Sequence, residues 1–103
     1  MSVMIEFSVL PVGTGVSLSP IIARVLEIVD KSGVTYKINP MGTVLEGSWD
    51  EVMSIVKQCH TEAMKDAERV VTSIKIDDRK GKEIRIKKKI ESLEKKLGVK
   101  LIT

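Results

Sequence analysis

The sequence has one cysteine, one histidine, three aromatic residues and two side-chain amides (Asn39 and Gln58) in 103 residues. Each scarcity excludes something. A single Cys59 cannot form an internal disulfide, so the fold must hold by packing alone, and a reducing cytoplasm is its expected home. With no Cys/His cluster there is no zinc framework, and Asp77-Asp78 lacks the further spaced oxygen ligands of a calcium loop. No apolar run approaches the ~18 residues of a membrane span, and the first ten residues carry Glu6 and no basic n-region, which argues against a secretory leader. Phe7, Tyr36 and Trp49 fall on separate elements, so no aromatic platform for stacking nucleic-acid bases results.

What is present is a globular balance, 43% apolar and 30% charged, in a chain long enough for one core, a single domain over residues 1–103. The net charge of +3 is unevenly spread. Residues 79–103 hold ten Lys/Arg against three Glu, while residues 1–78 hold seven against eleven acids. The molecule has a basic end, read first as a solvated helix face and second as an anionic-surface patch. Abundant Lys and Glu with few amides is a balance reported for hyperthermophile proteins.

Period-two alternation over Val3 to Leu10 predicts a strand with Ile5, Phe7 and Val9 on one face and Met4, Glu6 and Ser8 on the other. After Gly13-Thr14-Gly15, Ser19-Pro20 reads as an N-cap and first helical residue, opening a helix that Gly33 ends. Val34 to Asn39 and Thr43 to Glu46 read as a hairpin around Pro40-Met41-Gly42. Ser48-Trp49-Asp50-Glu51 is a capping box for a second helix that fades near Lys65 to Glu68. Arg69 to Asp77 alternates as a strand. From Lys82, Ile86, Ile90, Leu93 and Leu97 mark a basic helix closed by Gly98, with Val99 to Ile102 as a short edge strand. The order predicts an α+β class: a ferredoxin-like β-α-β-β-α-β sandwich with an additional C-terminal helix. Its second sheet face, carrying Met4, Glu6, Ser8, Asn39, Val71, Ser73 and Lys75, is too apolar for open water, so a second copy is expected to cover it.

Chemistry is sparse. Cys59 and His60 are helix neighbours pointing about 100° apart, so they form no catalytic pair, and Cys59 reads as core and His60 as surface or interface. Gly13-Thr14-Gly15 lacks the P-loop lysine and reads as a bend before an anion site. Glu6 is the telling residue, because a carboxylate in mid-sheet needs an answering group. Lys75 across a dimer is one reading. A pocket of Glu6, Ser8, Asn39 and Thr43 for a ligand with donors or a cation is the other.

Pro11-Val12-Gly13-Thr14-Gly15, Ser17 and Ser19, Tyr36, Asn39-Pro40-Met41-Gly42-Thr43, Glu46-Gly47, His60 and the run Arg69 to Asp77 closely resemble the thiamine-binding-protein family over residues 3–97. The Pro-Met-Gly-Thr segment with Glu-Gly is the more specific part. Ala67-Glu68 stands where some members have glycine, which alters a connection and not the pocket. The resemblance implies dimers packed sheet to sheet, often tetramers, and non-enzymatic binding of thiamine or its hydroxymethylpyrimidine part; no cofactor and no membrane partner are expected, and nucleic acid is a disfavoured partner. It places the pocket at Glu6, Ser8, Asn39 and Thr43, flanked by Met41 and Thr14. The alternative is a homo-oligomeric regulatory or scaffolding module whose basic helix docks on an acidic partner or nucleic acid. An enzyme acting on a phosphate ester or acyl group ranks last, for want of a paired acid and base.

Overall fold

A computed structural model describes residues 2–13, 18–81 and 86–102. Chain order is β1 (Val3–Val12), α1 (Ser19–Lys31), β2 (Thr35–Asn39), β3 (Gly42–Gly47), α2 (Trp49–Met64), β4 (Arg69–Asp77) and α3 (Ile86–Leu97). The strands form one antiparallel sheet in the order β2-β3-β1-β4, the ferredoxin-like arrangement expected, with α1 and α2 on one face.

Alternation decides the core. Val3, Ile5, Phe7 and Val9 of β1 and Leu45 of β3 are buried against Ile21, Val25 and Val29 of α1 and Val52, Ile55, Val56, Cys59 and Ala63 of α2. Side-chain bonds tie the layers at their margins. The Tyr36 hydroxyl donates to Asp30 at 2.6 Å, joining β2 to α1, and this bond raises the phenol pKa. His60 Nδ1 is hydrogen-bonded to Thr72 at 2.6 Å, joining α2 to β4, so the histidine is a half-buried clasp. Arg24 of α1 bridges Glu62 at 3.3 Å and Asp66, while Lys65 also grips Glu62 at 2.7 Å. The Lys65 bond, aided by Arg24, holds the Glu62 carboxyl below the ordinary range.

Cys59 is wholly buried, its thiol 3.6 Å from the Val25 carbonyl, and burial pushes its pKa up to about 11. The single thiol of the native protein should therefore resist Ellman's reagent at pH 8 and react at once in denaturant. Fast labelling of the native chain would contradict this core.

The capping box forms as read. The Ser48 hydroxyl accepts from the Glu51 amide and Glu51 accepts from the Ser48 amide, each at 3.2 Å. These bonds to Ser48 lower the Glu51 pKa from its ordinary 4.5. A depressed folded value means that the contribution is complete above the unfolded pKa and is lost as pH falls through the folded one. Ser48→Ala should cost about 1 kcal/mol in urea denaturation at neutral pH. An unchanged midpoint would show that the cap contributes nothing.

Two local expectations need correction. Ser19 is not the cap of α1: Leu18 holds that position, without a side-chain bond, and Ser19 and Pro20 are already helical. Val99 to Ile102 is not a strand, because the Leu101 amide donates to the Glu94 carboxylate at 2.5 Å and not to a sheet edge. The start of the third helix at Lys82 lies outside the described residues.

The largest difference concerns the second sheet face. The pattern of the strands assigns all of it to a twin subunit, whereas α3 lies over its Met4 end. There the Ile86 amide donates to Glu46 on β3 at 2.9 Å, a carboxylate at a helix N-terminus, and Lys89 pairs with Asp77 on β4. Ile86 and Ile90 are half-buried in this contact, while Leu93 and Leu97 stay 53% and 61% exposed.

Candidate functional site

Register sets the composition of the open face row by row, since residues directly opposite on neighbouring strands share a face. The first row, Thr35, Glu46, Met4 and Asp77, lies at the α3 end. The second is Lys37, Val44, Glu6 and Lys75. The third holds Asn39 opposite Gly42 and Ser8 opposite Ser73. Beyond it the face turns apolar, with Leu10 opposite Val71, and ends on Val12 and Arg69. A polar band thus runs between the half-buried isoleucines of α3 on one side and an apolar sheet end on the other.

A cleft of about 390 Å³ opens over the second row, with Glu6, Lys37, Asn39 and Lys75 on the sheet and Ile86 and Ile90 on α3. Glu6 is exposed within it. Among the described residues, no ion pair or side-chain hydrogen bond engages Glu6, Lys37 or Lys75, so Glu6 and Lys75 do not pair within the chain although the two are opposite. Gly42 explains how the carboxylate finds room. A Cβ there would lie 3.2 Å from Glu6 Cγ and 3.3 Å from the Phe7 carbonyl oxygen, so any side chain would crowd Glu6, while the φ of Gly42 is unexceptional.

Five of the six expected site residues are distributed over adjoining clefts. Glu6 and Asn39 share the open-face cleft. Glu6, Ser8 and 90%-exposed Met41 border a smaller hollow of about 200 Å³ beside it, with Ser73 and Lys75. Thr43 is a correction: it pairs with Phe7, is 7% exposed, and belongs to the helix side of the sheet. It meets Ser8, Asn39 and Met41 only around the hairpin tip, in a cleft of about 380 Å³ under α1. Thr14 lies outside the described residues.

The Thr43 difference has a simple cause. Reading the turn as Pro40-Met41-Gly42 sets Asn39 opposite Thr43, but the turn is Pro40-Met41 alone and Asn39 pairs with Gly42. One residue of register reverses the face. Lys37 escaped notice although its parity with Asn39 puts both on the same face; the parts contributed by Ile86, Lys89 and Ile90 had no local signal.

The cleft offers a carboxylate, an amide and ammonium groups, and no group of metal-ligating side chains occurs among the described residues. No helix among them is long and apolar enough to cross a membrane.

Known proteins resemble this one along nearly the whole chain. A UPF0045 protein of Methanocaldococcus jannaschii is 40% identical over 91 residues, covering 88% of this chain and 91% of its own. The crystal structure of a hypothetical protein of that organism superposes with a TM-score of 0.83 at 39% identity, over 89% of this chain and 95% of that one. A candidate thiamine biosynthesis/salvage protein of Thermotoga maritima gives 0.80 at 28% identity, over 90% and 99%. Residues 5–94 match the family model described as thiamine-binding protein. The chain belongs to the thiamine-binding protein family.

Proposed function

We propose that the protein binds thiamine or its hydroxymethylpyrimidine part, without chemistry on it, in the open-face cleft of a homo-oligomer. The observation that carries this reading is the Glu6 carboxylate, exposed in the cleft over Gly42 beside Asn39 and without an ion pair or hydrogen bond among the described residues. An aminopyrimidine presents an alternating donor and acceptor edge, which a carboxylate and an amide can answer at once. Thiazolium adds a positive charge that Glu6 attracts. Apolar Leu10 and Val71, 52% and 40% exposed at the far end of the same face, support burial of that end against a second copy, which would also shut the cleft from water.

Calorimetry with thiamine and with the free pyrimidine tests the reading. Saturable heat with either ligand is the expected result, and no heat with both overturns it. A second reading, a scaffolding module, is favoured by the exposed Leu93 and Leu97 on the basic helix α3. It requires a partner to bind through that helix with the cleft left idle, so ligand heat counts against it.

A further inference from the structure

Charge in the cleft is not balanced for a purely cationic guest. Among the described residues five ionisable side chains line it: Glu6 and Asp77 against Lys37, Lys75 and Lys89. Asp77 is taken by Lys89. Lys75 stands directly opposite Glu6 on the neighbouring strand, about 5 Å away between backbones, close enough for each to offset the other's field. Lys37 is left. It lies on the far side of Val44, on the edge strand β2, half-buried, with Asn39 two residues along on the same face and no carboxylate within ion-pair distance among the described residues. A half-buried ammonium facing a cleft without a counter-ion asks for an anion from outside.

We propose that the cleft takes a phosphate ester of the thiamine or aminopyrimidine class, its ring edge at Glu6 and Asn39 and its phosphate at Lys37 above Val44. The assignment rests on the reading that the cleft binds this ring class, and it deepens that reading by naming the charged form. The distances allow it. Lys37 and Glu6 are two strand spacings apart, about 10 Å, so one ligand can meet the carboxylate with its ring and the ammonium with its ester group. A dianionic phosphate turns the excess cation from a penalty for thiamine into an attraction, and charge-assisted bonds to phosphate are stronger than neutral ones. Lys37 is in this sense a specificity residue: it separates the ester from the alcohol and leaves ring recognition to Glu6.

The test is calorimetry on the full chain with five probes: thiamine, thiamine monophosphate, hydroxymethylpyrimidine, its phosphate ester, and inorganic phosphate. At least one ester should bind about tenfold or more tightly than its own alcohol, the scale of one charge-assisted hydrogen bond. Which of the two esters shows the larger margin identifies the ligand. Lys37→Gln should remove most of that margin, chiefly by weakening the ester, and raising the salt concentration should shrink the wild-type margin in the same direction. Equal affinities for ester and alcohol overturn the proposal, as does a margin that survives Lys37→Gln with unchanged circular dichroism. Inorganic phosphate binding as tightly as the esters also overturns it, reducing the site to an adventitious ion only. Alcohols that bind without any ester preference sink this inference and leave the thiamine reading standing, whereas silence from all five probes sinks both.

Discussion

Glu6→Ala is expected to weaken binding of thiamine or its pyrimidine by about ten- to a hundredfold, the ~1.5–3 kcal/mol typical of hydrogen bonds to a charged group. Folding should be unaffected. The side chain is exposed, makes no ion pair or hydrogen bond with the described residues, and contributes nothing to the buried cluster of Val3, Ile5, Phe7 and Val9. Such a separation of binding from stability is uncommon for mid-strand positions, where substitution normally disturbs packing. Glu6→Gln distinguishes the charge from the shape: it retains an acceptor but adds donors, so it should lose more affinity for cationic thiamine than for the neutral pyrimidine. The readouts are calorimetric affinity and the urea midpoint. A Glu6→Ala protein that binds like the parent would remove the carboxylate from the site.

The second large effect concerns assembly. Leu10 and Val71 face each other across β1 and β4 at the open end of the sheet, beyond the polar band. If a second copy covers that end, the double variant Leu10→Asp, Val71→Asp places two carboxylates per chain in an apolar interface. Desolvating unpaired charge costs several kcal/mol, so self-association should weaken on the order of a hundredfold or more. Light scattering coupled to gel filtration should then report a monomer where the parent protein is an oligomer. Ligand affinity should fall with it, because the cleft loses its outer wall. The helix side of the sheet is untouched by these changes, so native circular dichroism is expected to persist. A parent protein that is itself monomeric at high concentration, or a double variant with undiminished assembly, would contradict the covered face.

How much of this was legible before any coordinates depends on what each residue's position rests upon. Period two placed Ile5, Phe7 and Val9 inward and Glu6 and Ser8 outward because a strand's faces alternate whatever its neighbours do. The second helix was readable from Ser48 and Glu51 because a capping box is local chemistry. Thr43 was misplaced because its face depends on the length of the turn, and a two-residue and a three-residue loop through Pro40-Met41-Gly42 are alike in composition. Leu18 replaced Ser19 as the cap of α1, since the helix begins one residue earlier than proline preference alone indicates. The position of α3 was the least legible. Its heptad-like spacing announces a helix, but the docking onto the open face hangs on Glu46 meeting the Ile86 amide and Asp77 meeting Lys89, pairs separated by 40 and 12 residues. Nothing local encodes such meetings. The consequence for the site is large, because α3 converts a flat sheet face into a walled cleft.

Amide chemical-shift mapping during a thiamine titration tests the central claim most directly, since it reports where the ligand lies independently of how tightly it binds. The account predicts that the perturbed amides cluster on the open face, at Glu6, Lys37, Asn39, Val44, Lys75 and Ile90. Shifts confined to the cleft between α1 and α2 around Ser32, Ser54 and Gln58, or no shifts at saturating thiamine, would contradict it.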